Sequence, residues 1–471
     1  DNIYWASEIK ALAKSLDLRP DPIRTLFAAN NMAEKSTEYT LFKGVRSVRP
    51  GCYLEIDSKN APRNFVYYDV LDDLDPDYYR DLNGQPTEKV LSTFEKIFTE
   101  SVDSMLMSDV PVGAFVSGGI DSSFISSVAA RSNADIKLFT ANIVGKYSEF
   151  SDVKLLSKHL KKEIFEYKFE PQMMLRDWVD VTYFHDSPIV IHVNSIPFSG
   201  VARLAHDSDV KAVLTGEGAD ELFLGYPKLL SRRYESIASF PVKALKSPYM
   251  LSPRLYQFLF PDLSQSPLPF LNGLVQGFEV ERLCERAEEK LQFLDNGKKR
   301  EQYSTINMMR EHLVALLHRN DRMGMMSSIE ARFPFLDEEL VKFAINLPSK
   351  FKIGRSGRFH NYKHPFLIDK WIIRKTAESY LPNELVNKKK NGFPMFGHKF
   401  LKIKDGFFEN GWIEDNLGLM KNVQEYLLRS QDPYFVAKLA SVEIFGRIFD
   451  QGQSLEKIKS HVIDHAEIIP G

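Results

Sequence analysis

Ser117-Gly118-Gly119-Ile120-Asp121-Ser122-Ser123 follows an apolar run at 112–116 and precedes a helical stretch at 124–131. Strand, glycine turn and helix start, in that order, predict an α/β unit. Such a turn aims several backbone N–H groups at one point, and the helix dipole adds positive potential there. The natural ligand is a phosphate. Asp121 puts a carboxylate beside the anion site. It would repel phosphate unless a divalent cation bridges the two, and Mg2+ takes carboxylate and phosphate oxygens in this way. The pattern therefore predicts an ATP–Mg2+ site. The chain has no G-x-x-x-x-G-K-[ST], so no lysine within the loop holds β- and γ-phosphates. A Gly-Gly turn in an ordinary α/β protein is the plainer reading of Ser-Gly-Gly alone; the strand, Asp121 and the helix favour the nucleotide.

Working outward, a helix at 87–107 leads into the first strand, a second strand at 136–142 precedes a helix at 152–159, and a third strand is expected at 211–214. Strands alternating with helices indicate a parallel twisted sheet flanked by helices, with right-handed crossovers. Ligands then collect at the carboxyl ends of the strands. The third strand ends at Thr215-Gly216-Glu217-Gly218-Ala219-Asp220-Glu221. Asp220 is a second carboxylate for the same cation, and Glu217 lies in the turn itself. Alone, this run reads as a solvated acidic turn, the usual fate of such a cluster; paired with the first loop at the strand ends, it reads as part of the same site.

Two later regions carry charge in unusual settings. Arg319, Asp321 and Arg322 crowd a predicted helix, and Glu330 and Arg332 stand beside an apolar segment. Buried charges must be paired, so a structural ion-pair network and substrate binding both account for them. Lys388-Lys389-Lys390-Asn391-Gly392-Phe393 is either a solvated lysine face or a turn from which a lysine reaches phosphate.

The 471 residues suggest two or three domains. Hydrophobic content of 44%, charged content of 26% and a net charge of −2 give no reason to expect nucleic acid or an anionic membrane as partner. Cys52 and Cys284 offer no metal-ligand spacing; a reducing, cytoplasmic setting is the expectation. No apolar run is long enough for a bilayer and no signal peptide is evident, although a chain opening on Asp1 rather than Met implies sequence upstream. Residues 1–57 read as a β-rich piece, with a strand at 3–8 leading into a helix at 9–15 and an alternating strand at 51–57; 58–88 reads as a linker, and 89–471 as the main domain. Beyond 228 the pattern is mostly helical, with a Pro/Ser/Phe-rich connection at 247–273.

The first loop resembles the pyrophosphate loop, SGGxDS, of enzymes that split ATP between the α- and β-phosphates. Together, SGGIDSS, GEGADELFLGY, LLHRNDRMGMMSSIEARFPFLD and KKKNGF are similar to glutamine-dependent asparagine synthetases in order and spacing. WASEIKAL, with Glu8, and VRSVRPGCYLEID resemble the end of that family's N-terminal glutaminase domain. The resemblance covers essentially the whole chain. It implies an adenine-nucleotide α-hydrolase-like fold with a helical C-terminal part, preceded by the remnant of an N-terminal-nucleophile (Ntn) type glutaminase. It also implies that the bulk of the glutaminase lies outside these residues, with the N-terminal cysteine that hydrolyses glutamine. Cys52 cannot replace that cysteine, because the chemistry needs a free α-amino group on the nucleophile.

The chemistry implied is adenylation of the aspartate side chain by ATP with Mg2+, then attack by ammonia to give asparagine, AMP and pyrophosphate. By the resemblance, Ser117, Gly118, Gly119 and Ser122 cradle pyrophosphate; Asp121 and Asp220 hold the metal; Phe115, Val116, Ala141, Thr215 and Gly216 contact adenosine; Lys390 stabilises phosphate charge and Glu217 accepts a proton from ammonia. Arg319, Asp321, Arg322, Glu330 and Arg332 are the candidates for the substrate. A homodimer is suggested by resemblance alone. Thr215 stands where serine is common, Leu224 replaces a glycine of ELFGGY, and Asp186-Ser187-Pro188-Ile189 is looser than the family's D-x-P-x-x-D. Relatives on this scaffold close lactam or macrocyclic rings, and the β-lactam-forming ones carry tyrosine at the glutamate, so Glu217 favours external ammonia. A scaffold without turnover would erode the ATP loop, and this loop is intact.

Overall fold

The computed structural model describes residues 2–29, 38–57, 61–144, 148–189, 194–227, 230, 285–357, 364–389, 400–417 and 433–469. In chain order the elements that build the site are α1 (Thr87–Leu106), β1 (Val112–Phe115), α2 (Ile120–Ser132), β2 (Lys137–Ile143), α3 (Phe150–Leu160), β3 (Ile164–Phe169), α4 (Pro171–His185), α5 (Ser195–Asp207) and β4 (Ala212–Leu214). They are followed by α6 (Val314–Met325), β5 (Glu330–Arg332), α7 (Glu338–Asn346), α8 (Trp371–Ala377), α9 (Pro433–Phe449) and α10 (Leu455–His465).

The five strands form one sheet in the order β3-β2-β1-β4-β5, with every pairing parallel. The chain leaves β1 toward β2 and β3 on one side, then returns to place β4 on the other. The strand order therefore reverses at β1/β4, and a crevice opens at the carboxyl ends there. Both glycine turns leave from those two ends.

Alternation along the strands explains the layers. Ala114, Leu138, Ala212 and Leu214 join one core with α1, α2, α7 and α8. Phe139 and Val213 point to the opposite face, against Val201, Ala202 and Ala205 of α5. Val90, Phe94, Phe98 and Val102 recur every four residues along α1 and are fully buried. Phe98 stacks on Phe124 of α2 at 4.3 Å between centroids. Truncating such an aromatic costs about 3–5 kcal/mol, so α2 is held firmly at the end where the loop sits. A second helical body, α4, α9 and α10, packs on Ile143 and Phe169.

Two strands go beyond the sequence expectation. β3 and β5 are the sheet edges, and β5 has three residues, two of them charged. The strand expected at 3–8 is not formed; those residues lead without regular structure into a short helix, Ile9–Ala13. The alternating stretch at 51–57 does give a strand, Cys52–Glu55, paired antiparallel with Arg63–Val66. That second strand lies inside the 58–88 stretch. So does the helix Pro76–Gly84, with Tyr79 and Leu82 buried, and Val70, Leu71 and Leu74 enter the main core. The stretch that reads as linker by composition is thus structured and packed, its Asp and Pro residues serving as helix caps; Asp75 accepts from the Asp77 and Tyr78 amides. We keep 57 and 88 as proposed boundaries. The 247–273 connection lies outside the described residues.

Candidate active site

The loop after β1 is held by its own hydroxyls. The Ser117 amide donates to Ser122 Oγ at 3.1 Å, and the Gly119 amide donates to Ser117 Oγ at 3.3 Å. Gly118 has φ of 75°, which L side chains rarely adopt. Ile120 then begins α2, so the loop closes over a helix N-terminus. From outside, Lys388 Nζ donates to the Gly118 carbonyl at 3.1 Å and pairs with Glu149 and Asp152, each at 2.8 Å. This lysine of the KKKNGF run braces the loop. Lys389 is exposed; Lys390 and Asn391-Gly392-Phe393 lie outside the described residues.

The second turn meets the first directly. A Cβ on Gly216 would lie 3.1 Å from Asp121 Cβ and 3.2 Å from the Ser122 nitrogen. A side chain at this position would push the turn after β4 off the start of α2 by a few tenths of an ångström. The contact brings Asp121 and Asp220 to one point: a single ammonium, Lys370 Nζ, lies 2.5 Å from Asp121 Oδ2 and 2.7 Å from Asp220 Oδ1. Lys370 is a site residue that sequence reasoning misses. The one signal was a lysine inside the apolar run Phe366-Leu367-Ile368-Asp369-Lys370-Trp371-Ile372-Ile373, a charge that burial obliges to find a partner.

Glu217 points the other way along the crevice. Arg319 Nη2 of α6 donates to its Oε1, and Asn320 Nδ2 donates to the same oxygen at 3.0 Å. Among the described residues no bond reaches Oε2. Arg319 is 3% exposed and its guanidinium lies over the Phe198 ring at 5.5 Å. Phe198 in turn meets Phe115 edge-on at 5.1 Å. Phe115 and Ala141 pack on one cluster at the strand ends, and Val116 and Thr215 are buried there.

Of the five charged candidates, Arg319 alone reaches Glu217. Asp321 is exposed on α6. Arg322 donates to the Ser7 carbonyl at 2.7 Å and pairs with Glu8 at 3.3 Å. Arg332 donates to the Met105 and Met107 carbonyls at the end of α1, and pairs with Glu330 at 2.8 Å on the sheet edge. Asp186, in the loose D-x-P stretch, accepts from the Ile9 and Lys10 amides at 3.0 and 3.3 Å. Burial raises its carboxyl above the ordinary range, against the pull of Lys10 and Arg322. Burial likewise lowers His318, which lies on α6 beside His185.

Two carboxylates meeting at one cation suit a metal that takes its remaining ligands from phosphate and water. Among the described residues no group of three or more His, Cys, Asp or Glu forms a closed metal cage, and Mg2+ does not need one. A helix N-terminus under a glycine loop suits phosphate. The ammonium already between Asp121 and Asp220 shows that the pocket accepts a cation there.

Parallel sheet, reversed strand order and facing glycine turns define an α/β protein with a helix N-terminus under a glycine loop at its switch point. A family model described as asparagine synthase matches residues 93–431, and the chain belongs to that family. It is 27% identical to asparagine synthetase [glutamine-hydrolyzing] 1 of Bacillus subtilis over 88% of this chain and 65% of that protein. It is also 27% identical to asparagine synthetase [glutamine-hydrolyzing] 3 of the same organism, over 84% and 62%. Similarity of 24%, over 82% and 64%, extends to a protein named amidase chyE from Penicillium rubens. The chain thus spans a little under two thirds of these relatives. Among the described residues, no helix is long and apolar enough to cross a membrane.

Proposed function

We propose that this chain is an ATP-dependent amide synthetase that adenylates the side-chain carboxylate of aspartate and transfers ammonia to it. The observation that carries the reading is the apposition of Gly216 and Asp121, which gathers an anion loop, two carboxylates and Glu217 in one crevice. A carboxylate is a poor acyl donor. Attack of its oxygen on the α-phosphorus of ATP makes an acyl-adenylate and releases pyrophosphate. Ammonia then displaces AMP and leaves an amide.

In this reading the residues work mainly by positioning and neutralising charge. Ser117, Gly118, Gly119 and Ser122 hold the departing pyrophosphate with backbone N–H and hydroxyl groups. Phe115, Val116, Ala141, Thr215 and Gly216 border adenosine, and Lys390 of the Lys388–Phe393 run answers phosphate charge. Asp121 and Asp220 would hold Mg2+, which supplies Lewis-acid neutralisation of phosphate oxygens when bound. Glu217 takes the proton that ammonia sheds as it attacks. Arg319 keeps that carboxylate aimed, and its position beside the attack site makes it the favoured contact for an anionic substrate. Ammonia would come from glutamine only in a protein carrying the full glutaminase, as the two relatives' names describe for those proteins.

A second reading, amidation of a different carboxylate or closure of a ring on an internal amine, is favoured by one observation. Asp186 binds Ile9 and Lys10 of this chain, so it does not serve a substrate ammonium group. The test is pyrophosphate release from Mg2+–ATP with aspartate and ammonium chloride. The proposal expects asparagine and pyrophosphate in equal amounts. Release that depends on another carboxylate and not on aspartate moves the chain to the second reading. No release with any carboxylate, from protein that binds ATP, leaves a binding scaffold.

A further inference from the structure

We propose that Lys370 is the built-in counter-cation of this site: it holds Asp121 and Asp220 together before metal arrives and shares them with the divalent cation that comes with the nucleotide. The inference rests on the nucleotide reading above and adds a positioning residue to it.

Three features show that the ammonium is placed rather than stray. Its side chain is 2% exposed, so it cannot wander among solvent rotamers. Its backbone sits at φ of 50° as the cap of α8, a conformation costly for a residue with a Cβ. That turn is locked from behind: Arg374 grips Asp369 through Nη2 at 3.1 and 3.0 Å and through Nε to its carbonyl at 2.9 Å, all buried. Gly225 completes the path. A Cβ there would fall 2.0 Å from Lys370 Cε and 2.0 Å from Asp220 Oδ1, so the lysine passes through space that any side chain would fill.

Charge explains what this achieves. Two half-buried carboxylates side by side repel, and their partial burial weakens the screening by solvent. One ammonium leaves the trio a single negative charge, enough to attract a cation without tearing the site open while it waits. A divalent cation added to the trio turns it net positive, which suits a polyphosphate. Without Lys370 the two carboxylates and the divalent cation would sum to zero. The lysine missing from the loop sequence is thus supplied from 249 residues away.

The test uses the whole chain and Mn2+ alone, read by electron paramagnetic resonance, with thermal unfolding alongside. Wild type is expected to bind Mn2+ weakly without nucleotide. Lys370→Met is expected to bind it at least tenfold more tightly, and Mn2+ should raise the unfolding midpoint of the variant and not of wild type. Lys370→Met with Asp220→Asn should recover a wild-type-like midpoint without metal. Unchanged or weaker Mn2+ binding by Lys370→Met, at an unchanged metal-free midpoint, would overturn the proposal. So would a double variant no more stable than the single one, including the case where neither folds. Binding of Mg2+–ATP to wild type is measured separately: its absence removes the nucleotide reading, whereas the Mn2+ exchange tests Lys370 alone.

Discussion

Glu217 has one oxygen taken by Arg319 and Asn320, and this division sets its chemistry. The buried guanidinium fixes the carboxylate, and among the described residues no bond reaches Oε2, the oxygen to which the proposed mechanism gives the proton. Glu217→Gln keeps the shape and removes the acceptor. It should leave ATP–pyrophosphate exchange within about threefold of wild type and slow amide formation by about 10²–10⁴. Equal losses in both assays would place Glu217 in adenylation instead. Asp121→Asn should abolish pyrophosphate release altogether, read in the same pair of assays. Away from the site, Lys352 is fully buried, and among the described residues its ammonium donates to Thr305 Oγ1 at 3.5 Å. Burial pulls it from 10.5 down to about 7, against the opposing pull of Glu301. The fold favours the neutral amine, so the stability it contributes is whole above 10.5 and is lost as pH falls toward about 7, on the order of a few kcal/mol. Urea midpoints should therefore fall from pH 10 to 7 in wild type and change less in Lys352→Met. Parallel curves for the two proteins would show that Lys352 is not the titrating group.

The turn after β4 ends in a departure from the family pattern that the backbone explains. Leu224 stands where the family has glycine, and its φ is 56°. Glycine would relieve about 1–2 kcal/mol of left-handed strain. Yet Leu224 is buried with Leu230, Ile353 and Leu367, and deleting a buried leucine costs about 2–5 kcal/mol. Packing wins, so Leu224→Gly should lower stability by about 1–3 kcal/mol in urea unfolding; a stabilised variant would mean that strain dominates. The same contest between local signal and tertiary context decides what was legible in the sequence. β1 and β4 could be read because each is an apolar run ending in a glycine turn, and β2 because its apolar residues Leu138, Phe139, Ala141 and Ile143 dominate it. β3 also carried its signal, since Phe165, Tyr167 and Phe169 alternate with Glu166 and Lys168. β5 did not: two of its three residues are charged, and only pairing with β4 makes it a strand. Both halves of the site were visible as motifs. Lys370 was not, because its partners are set by the sheet and not by neighbours in sequence.

The N-terminal residues are tied to the main domain through charge. Asp186 caps the start of the helix Ile9–Ala13, Lys10 Nζ donates to the Phe184 carbonyl at 3.2 Å, and Arg322 binds Ser7 and Glu8. Arg322 lies one turn beyond Arg319 on α6, so the segment that resembles the end of a glutaminase rests on the helix that holds Glu217. Asp186→Asn keeps a residue that tolerates the φ of 55° found there while removing the charge from these bonds. Hydrogen exchange should speed up at residues 2–15 and stay slow in β2; a uniform rise would show that Asp186 supports the whole fold. The proposed chemistry itself is tested most directly with aspartate labelled by 18O in its side-chain carboxylate, incubated with Mg2+–ATP and ammonium. Attack on the α-phosphorus predicts one labelled oxygen in AMP for each amide formed, with unlabelled pyrophosphate. Label in inorganic phosphate beside ADP, or amide formed with unlabelled AMP, would contradict it.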